Sequence, residues 1–378
     1  MERDFMRVAI VGAGGEIGYY FYRYLKNRGF DVVPIVRGSL GPLLSRYSIE
    51  PTRVDMTDVS SIDAALSGCD SVINCMIDKQ AYKTDQEKVR RNLICCRNLL
   101  LSAIHCRLDR MIHLSSIVVL PPRITDSVLS GSVVSKEKDW YSRTKILTER
   151  LFRDKRSEEV SVVVLRPGIV YGAYMNWSAV AFERTEFNVV RLPDEVGKCY
   201  TVHPLDLARL SECLLSEKGT SLPKVVYGVN PESISWYKFY SGHAHSVGAE
   251  DRVALMSPDS PARRVEKPRG SSRSQYLSQR VLNWAFESDL LQVPRWYAMR
   301  ELVRFANSRF GNVFRSPDRW RSGSLYPSSF ELDMYRSDGD IGKAEIGQSV
   351  GFRYKVPFKK GVENAALWRL NQFELAES

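Results

Sequence analysis

The chain has 378 residues, enough for one large domain or two coupled ones, and its composition, 44% hydrophobic and 26% charged, is that of an ordinary globular protein. No run of eighteen apolar residues is present, which argues against a spanning helix. The net charge of +10 points to anionic partners without choosing among nucleic acid, a membrane surface and a phosphorylated substrate, and the seven cysteines, odd in number, argue against a disulfide framework.

The first strand, 7–12, follows so closely on Met1 that no cleavable leader is expected, and unpaired cysteines inside apolar runs (Cys69, Cys75, Cys95, Cys96) fit a reduced, cytoplasmic setting. With five histidines and no zinc-type spacing, no metal is expected. Further strands are predicted at 31–36, 50–55, 71–76, 110–116, 161–168 and 224–229. Helical patterns lie between them near 16–28, 60–67, 85–104, 139–155 and 205–215. That alternation predicts an α/β chain: a Rossmann-type, doubly wound parallel sheet of about seven strands, with ligands at the strands' carboxyl ends. The rhythm changes near residue 230, so 1–230 is read as the nucleotide-binding domain and 231–378 as a smaller, mostly helical substrate region.

Within that second region, 256–275 is rich in Pro, Ser and Arg and reads as an exposed loop, and helices follow near 276–287, near 294–310 and at the tail. In 293–323, Met299, Leu302, Val303, Ala306 and Phe310 share one helical face while Arg300, Arg304 and Arg309 lie largely off it. This fits either an amphipathic helix packed on the domain or a basic lid over an anionic substrate. No nucleic-acid module accompanies it, so no nucleic acid is expected.

Between the first strand and the first helix runs Gly12-x-x-Gly15-x-x-Gly18. The first glycine permits a tight turn, the second lets a pyrophosphate approach the backbone, and the third lets the helix pack on the strand, while the helix N-terminus offers free N–H groups. A dinucleotide is therefore expected there, with Glu16 and Ile17 in the same turn. No acidic residue ends the second strand; Arg37 follows it, which favours the 2′-phosphate of NADP over NAD, the plain alternative being a solvated arginine.

Downstream, Tyr141 and Lys145 are four residues apart on a predicted helix and so share a face. An ammonium there can lower the phenol's pKa and hold the cofactor ribose, making a proton donor and acceptor for a carbonyl/alcohol couple. Ser115 and Ser116 end the 110–116 strand, where a hydroxyl can meet a substrate oxygen.

The glycine motif, "VDMTD" (54–58), "HLSS" (113–116), Tyr141-x-x-x-Lys145, "RPGIVYG" (166–172), "VHPLDLA" (202–208) and "GFRYKVPFKKGVENAALW" (351–368) together resemble the extended short-chain dehydrogenase/reductases, a group that includes the NAD-dependent epimerase/dehydratases. The resemblance is thinnest over 250–340. It implies Tyr141 as acid/base, Lys145 as its partner on the nicotinamide ribose, and Ser116 as the group that orients the substrate oxygen. It further implies Asp55 and Met56 beside the adenine, Asn74 and Cys75 along the cofactor, and Pro167 and Val170 bordering the nicotinamide. Asn92 would support the active site, or else be a helix-surface amide. Homodimers through helices near 85–104 and 139–155 are common in the group, and the oligomeric state is left open.

Two departures bear on substrate. Ile117 and Val118 stand where a dehydratase needs an acid/base pair, which argues against 4,6-dehydration. Lys198 is the sole basic candidate where sugar-nucleotide enzymes place an arginine, which weakens that substrate class. The functions that follow are hydride transfer between a nicotinamide (NADP or NAD) and a carbonyl/alcohol carbon of a small molecule, sugar-like or anionic among the options, including epimerisation. The alternative is an idle cofactor-binding regulatory or scaffold protein of the same fold.

Overall fold

The computed structural model describes residues 6–256, apart from 39–40, 81, 83, 122, 126–138, 154–158, 188, 194–195, 218–221 and 233, together with 334–336, 338–339, 341 and 350–369. Seven strands, β1 (Arg7–Val11), β2 (Asp31–Val36), β3 (Thr52–Arg53), β4 (Ser71–Asn74), β5 (Arg110–Leu114), β6 (Ser161–Pro167) and β7 (Val225–Gly228), form one sheet in the order β7-β6-β5-β4-β1-β2-β3. Every neighbouring pair is parallel. This is the Rossmann-type sheet expected from the sequence.

The central strands are runs of Val, Ile and Leu because both their faces are covered. Val8 and Ile10 face helices α1 (Glu16–Asn27) and α7 (Pro204–Ser216) through Tyr19, Phe21, Leu210 and Leu214. Ala9 and Val11 point the other way, toward α3 (Val59–Leu66), α4 (Asp85–His105) and α5 (Trp140–Arg153), through Leu66, Leu99 and Phe152. Fully burying each such aliphatic or aromatic side chain is worth about 1.5–3 kcal/mol. The helix starts are written locally: Thr84 Oγ1 accepts from the Glu87 N–H at 3.1 Å, and Asp139 accepts from the Ser142 N–H at 2.7 Å while Ser142 Oγ accepts from the Asp139 N–H at 3.1 Å.

The chain winds outward from β1 to β3, then returns through β4 to the other side of β1. Register sets the carboxyl ends level at that reversal: Val11 lies opposite both Ile35 and Asn74, Asn74 opposite His113, and Leu114 opposite Leu165. The crevice above β1 and β4 is where a doubly wound sheet takes its ligand.

Beyond the sheet, α6 (Asn176–Phe187), α8 (Trp236–His245) and α9 (Phe358–Arg369) build a second core with Tyr171, Ala181, Phe239, Tyr240, Phe358 and Val362. Short pairings of 190–192 with 253–255 and of 198–199 with 234–235 complete it. Buried Asp206 in the first turn of α7 accepts from the N–H groups of Lys355 and Val356 at 3.1 and 3.0 Å, which ties the tail onto the nucleotide-binding part. The final helix follows Pro357, as the tail motif implied.

Among the described residues, three helices were not anticipated: the short α2 (Pro42–Arg46), α6 and α8. The apolar residues of α6 are bunched at Trp177 and 179–182 instead of recurring at helical spacing, and α8 opens on Trp236, Tyr237, Phe239 and Tyr240, residue types that favour strands. The expected helices near 276–287 and 294–310, with Met299, Arg300, Leu302, Val303, Arg304, Ala306, Arg309 and Phe310, lie outside the described residues, as does the expected loop beyond Met256. All seven cysteines are free thiols, four of them buried.

Candidate active site

The glycine turn joins β1 to α1. Gly12 has φ +86°, a conformation that favours glycine, and a Cβ there would lie 3.1 Å from the Met76 nitrogen. The Gly12 N–H donates to the Ile35 carbonyl at 2.9 Å and its own carbonyl accepts from the Gly15 N–H at 2.9 Å, which closes the turn. Gly18 is packed hardest: a Cβ would fall 2.2 Å from the Gly12 carbonyl oxygen. Gly15, by contrast, is exposed, and a Cβ there would meet only that oxygen, at 3.3 Å. One face of the turn is thus locked to the protein and the other is open backbone at a helix N-terminus, the arrangement a pyrophosphate requires. Ile17 stands in the same first turn, and the Glu16 carboxylate reaches away to accept from the Asn176 N–H of α6 at 3.0 Å.

On the far side of the crevice, β5 and α5 bring Ser116, Tyr141 and Lys145 together. Ser116 follows β5, where its Oγ accepts from the Val118 N–H at 3.2 Å and lies near enough to the Tyr141 hydroxyl to act on its titration. Lys145, one turn along α5, is buried, and its Nζ donates to the Leu114 carbonyl at 2.6 Å while lying 5.8 Å from the centre of the Tyr141 ring. Burial lowers the lysine's pKa to about 8.

The expectation that Lys145 lowers the Tyr141 pKa is corrected here. Tyr141 is half-buried, and the desolvation of its phenol raises the pKa more than Ser116 lowers it, while the Lys145 ammonium is directed at a backbone carbonyl. Tyr141 therefore holds its proton in this environment.

Beneath these groups lies a buried ionic network. Arg166 donates from Nε to Glu149 Oε1 at 3.0 Å and from Nη2 to Oε2 at 2.6 Å, and its Nη1 donates to the Tyr227 hydroxyl at 2.8 Å. Ser115 Oγ donates to the same Glu149 carboxylate. Glu149 thereby fixes the serine beside Ser116 and, from the next turn of α5, neighbours Lys145. Sequence reasoning passed over Glu149 and Arg166. The signal was present, since 141, 145 and 149 repeat every four residues on one helix face.

Other expected residues are placed as follows. Asn74 is fully buried, its amide donating toward His113 Nδ1 at 3.1 Å and its oxygen accepting from the Met76 N–H at 3.1 Å. Burial pushes the adjacent Cys75 thiol up to about 12. Asp55, exposed after β3, accepts from the Thr57 N–H and Oγ1 at 2.9 and 2.7 Å, bonds that hold its carboxyl below the usual range, while Met56 is buried. Pro167 ends β6, and Val170 pairs with Val202 just beyond it. Asn92 does not join the serine–tyrosine–lysine group. It braces the loop after β4, accepting from the Asp78 N–H at 2.7 Å and donating to the carbonyls of Asp78 and Lys88 at 3.1 and 3.0 Å. Arg37, offered by the sequence to a 2′-phosphate, is ion-paired with Asp78. Lys198 sits on a two-residue strand beside Ser235. Among the described residues, no cluster of His, Cys, Asp and Glu could hold a metal ion, and no helix is long and apolar enough to cross a membrane.

Residues 8–187 match the model of the NAD dependent epimerase/dehydratase family. Among curated proteins, the 4-hydroxy-2-methyl-3-oxo-4-farnesyl-3,4-dihydroquinoline-1-oxide ketoreductase of Stigmatella aurantiaca is 25% identical over 173 residues, 44% of this chain and 51% of that protein. The chain thus spans about half the length of that relative. Cinnamoyl-CoA reductase 1 of Petunia hybrida is 25% identical over 272 residues, 67% of this chain and 78% of that one. Among solved structures, the UDP-glucuronic acid 4-epimerase of Bacillus cereus in complex with UDP-glucuronic acid and NAD superposes with a TM-score of 0.62 at 15% identity, covering 97% of this chain and 100% of that one. The UDP-glucose 4-epimerase of Thermus thermophilus in complex with NAD gives 0.58 at 17% identity, covering 96% and 99%. At such identities the structural likeness is one of fold.

Proposed function

We propose that this chain, whose residues 8–187 match the model of the NAD dependent epimerase/dehydratase family, is a nicotinamide-dependent carbonyl reductase in which Tyr141 is the proton donor. The observation that carries the reading is the meeting of Ser116, Tyr141 and buried Lys145 where the end of β5 faces the first turns of α5: Lys145 Nζ lies 5.8 Å from the centre of the Tyr141 ring and donates to the carbonyl of Leu114, two residues before Ser116.

Gly12, Gly15 and the first N–H groups of α1 would hold the pyrophosphate, and the open face at Gly15 fits it. Asp55 and Met56 lie toward the adenosine side, and Pro167 and Val170 toward the nicotinamide. When bound, the cofactor supplies the hydride. The rest of the chemistry belongs to the chain. Ser116 Oγ and Tyr141 Oη together offer a carbonyl oxygen two hydroxyl contacts, and the phenol, kept protonated by burial, delivers its proton as charge develops on that oxygen. Lys145, fixed by the Leu114 carbonyl, adds positive charge beneath the site and a donor for the nicotinamide ribose. Residues 1–230 would carry the cofactor, and α6, α8 and the region from 231 onward the substrate.

Reduction is preferred over epimerisation because the curated relatives described above carry reductase names. The test is Tyr141→Phe assayed with reduced nicotinamide and a panel of ketones and aldehydes. Turnover should fall by about a thousandfold or more with cofactor affinity little changed. Retained turnover would remove Tyr141 from its role.

A further inference from the structure

We infer that Asp78 is a specificity-determining residue that turns this cofactor site toward NAD and away from NADP, an inference that rests on the dinucleotide reading above. Read alone, the arginine after β2 offers itself to a 2′-phosphate. In the fold its Nη1 is ion-paired with Asp78, on the loop after β4 that the reversal of the sheet brings beside the end of β2.

The two partners are unequal. The Asp78 side chain is 1% exposed and that of Arg37 is 32% exposed, so the carboxylate is the one that depends on the pair. Among the described residues its hydrogen bonds come from neutral groups: Oδ1 accepts from the Gln80 N–H at 3.0 Å, and Oδ2 accepts from the Tyr82 hydroxyl. The loop that carries it is held in place by Asn92, which bonds both the N–H and the carbonyl of Asp78. With the backbone held, the carboxylate can follow a departing guanidinium only by giving up its bonds to the Gln80 N–H and the Tyr82 hydroxyl.

A 2′-phosphate arriving at Arg37 meets two obstacles. It must share or displace the guanidinium, leaving a buried carboxylate without its counter-charge, and it brings a dianion toward that carboxylate. The neutral 2′-hydroxyl of NAD makes neither demand. Discrimination thus comes from what Asp78 does to the wrong cofactor more than from any added contact to the right one. Of the other basic side chains at this edge, Arg53 on β3 is turned back onto the Gly38 carbonyl, and Arg91 of α4 acts electrostatically on Asp55 and Tyr82 together with Arg37.

The test is titration of the purified full chain with NADH and NADPH, followed by nicotinamide fluorescence. The wild type should bind NADH at least about tenfold more tightly than NADPH, about 1.4 kcal/mol. Asp78→Asn frees Arg37 and should move that ratio toward NADPH by about tenfold or more. Should this variant fail to fold, the double replacement Arg37→Leu with Asp78→Leu removes both charges together, and it should lose no NADPH affinity. A wild type that binds NADPH as tightly as NADH, an Asp78→Asn ratio that does not move, or a double variant about tenfold weaker for NADPH would each overturn the inference. Binding of neither reduced cofactor would instead overturn the dinucleotide reading on which it rests.

Discussion

Replacing Glu149 by Gln should cost about 3–5 kcal/mol of stability, because it leaves Arg166 as a buried charge with no anion. The two side chains are 4% and 2% exposed, so water cannot take over the solvation. Two charge-assisted hydrogen bonds at 3.0 and 2.6 Å hold them, and a glutamine amide would keep one acceptor while turning an N–H toward the Nη2 that now donates. The Ser115 hydroxyl also loses a charged acceptor. Removing both charges with Glu149→Leu and Arg166→Met should be less damaging than the sum of the single changes. What remains is the cost of the Ser115 and Tyr227 hydroxyls left without partners, about 1–3 kcal/mol each. The assay is urea unfolding of the four proteins of the cycle, followed by tryptophan fluorescence. A coupling energy of about 2 kcal/mol or more is expected. Tolerance at this site, with Glu149→Gln within about 1 kcal/mol of wild type, or a cycle that is additive, would refute the claim that the pair is a buried, mutually dependent unit.

Three further substitutions test other parts of the site. Burial holds the Lys145 pKa near 8 in the folded chain against an ordinary 10.5, so the cost of keeping it charged is present below pH 8 and is relieved as the folded state releases the proton above it. Wild-type stability, measured by unfolding at several pH values, should therefore rise between about pH 8 and 10.5 relative to Lys145→Met, and the variant should be the more stable of the two at pH 7. Gly18→Ala would place a Cβ 2.2 Å from the Gly12 carbonyl oxygen, so it should lower stability by about 1–3 kcal/mol and weaken NADH binding about tenfold or more. Gly38→Ala, where a Cβ meets nothing within 4 Å, should leave thermal stability near wild type.

The sheet was legible because its strands are buried on both faces and written as short apolar runs, each followed by a helical pattern. The glycine turn was legible because backbone geometry there admits so few residue types. Ser116, Tyr141 and Lys145 could be brought together from spacing alone, since one strand end and one helix face suffice to specify them. What the sequence could not supply was pairing across elements far apart in the chain. Arg37 and Asp78 are 41 positions apart and meet only because β4 crosses back beside β1. Glu149 finds Arg166 on β6, and Asp206 finds the backbone near residue 355, for the same reason. The partial desolvation of half-buried Tyr141, which pushes its phenol up, was equally invisible to a local reading. In α6 and α8, tertiary packing of aromatic side chains decides the helix over local preference.

The central claim is that this chain delivers hydride to a carbonyl carbon with Tyr141 protonating the oxygen, and NADH deuterated at the transferring position of C4 tests it most directly. With a panel of ketones and aldehydes, the wild type should yield an alcohol carrying one deuterium at the carbinol carbon, seen by mass spectrometry, and Tyr141→Phe should yield none while still binding the cofactor. Absence of labelled alcohol from the wild type across the panel, or equal labelling by the variant, would contradict the account.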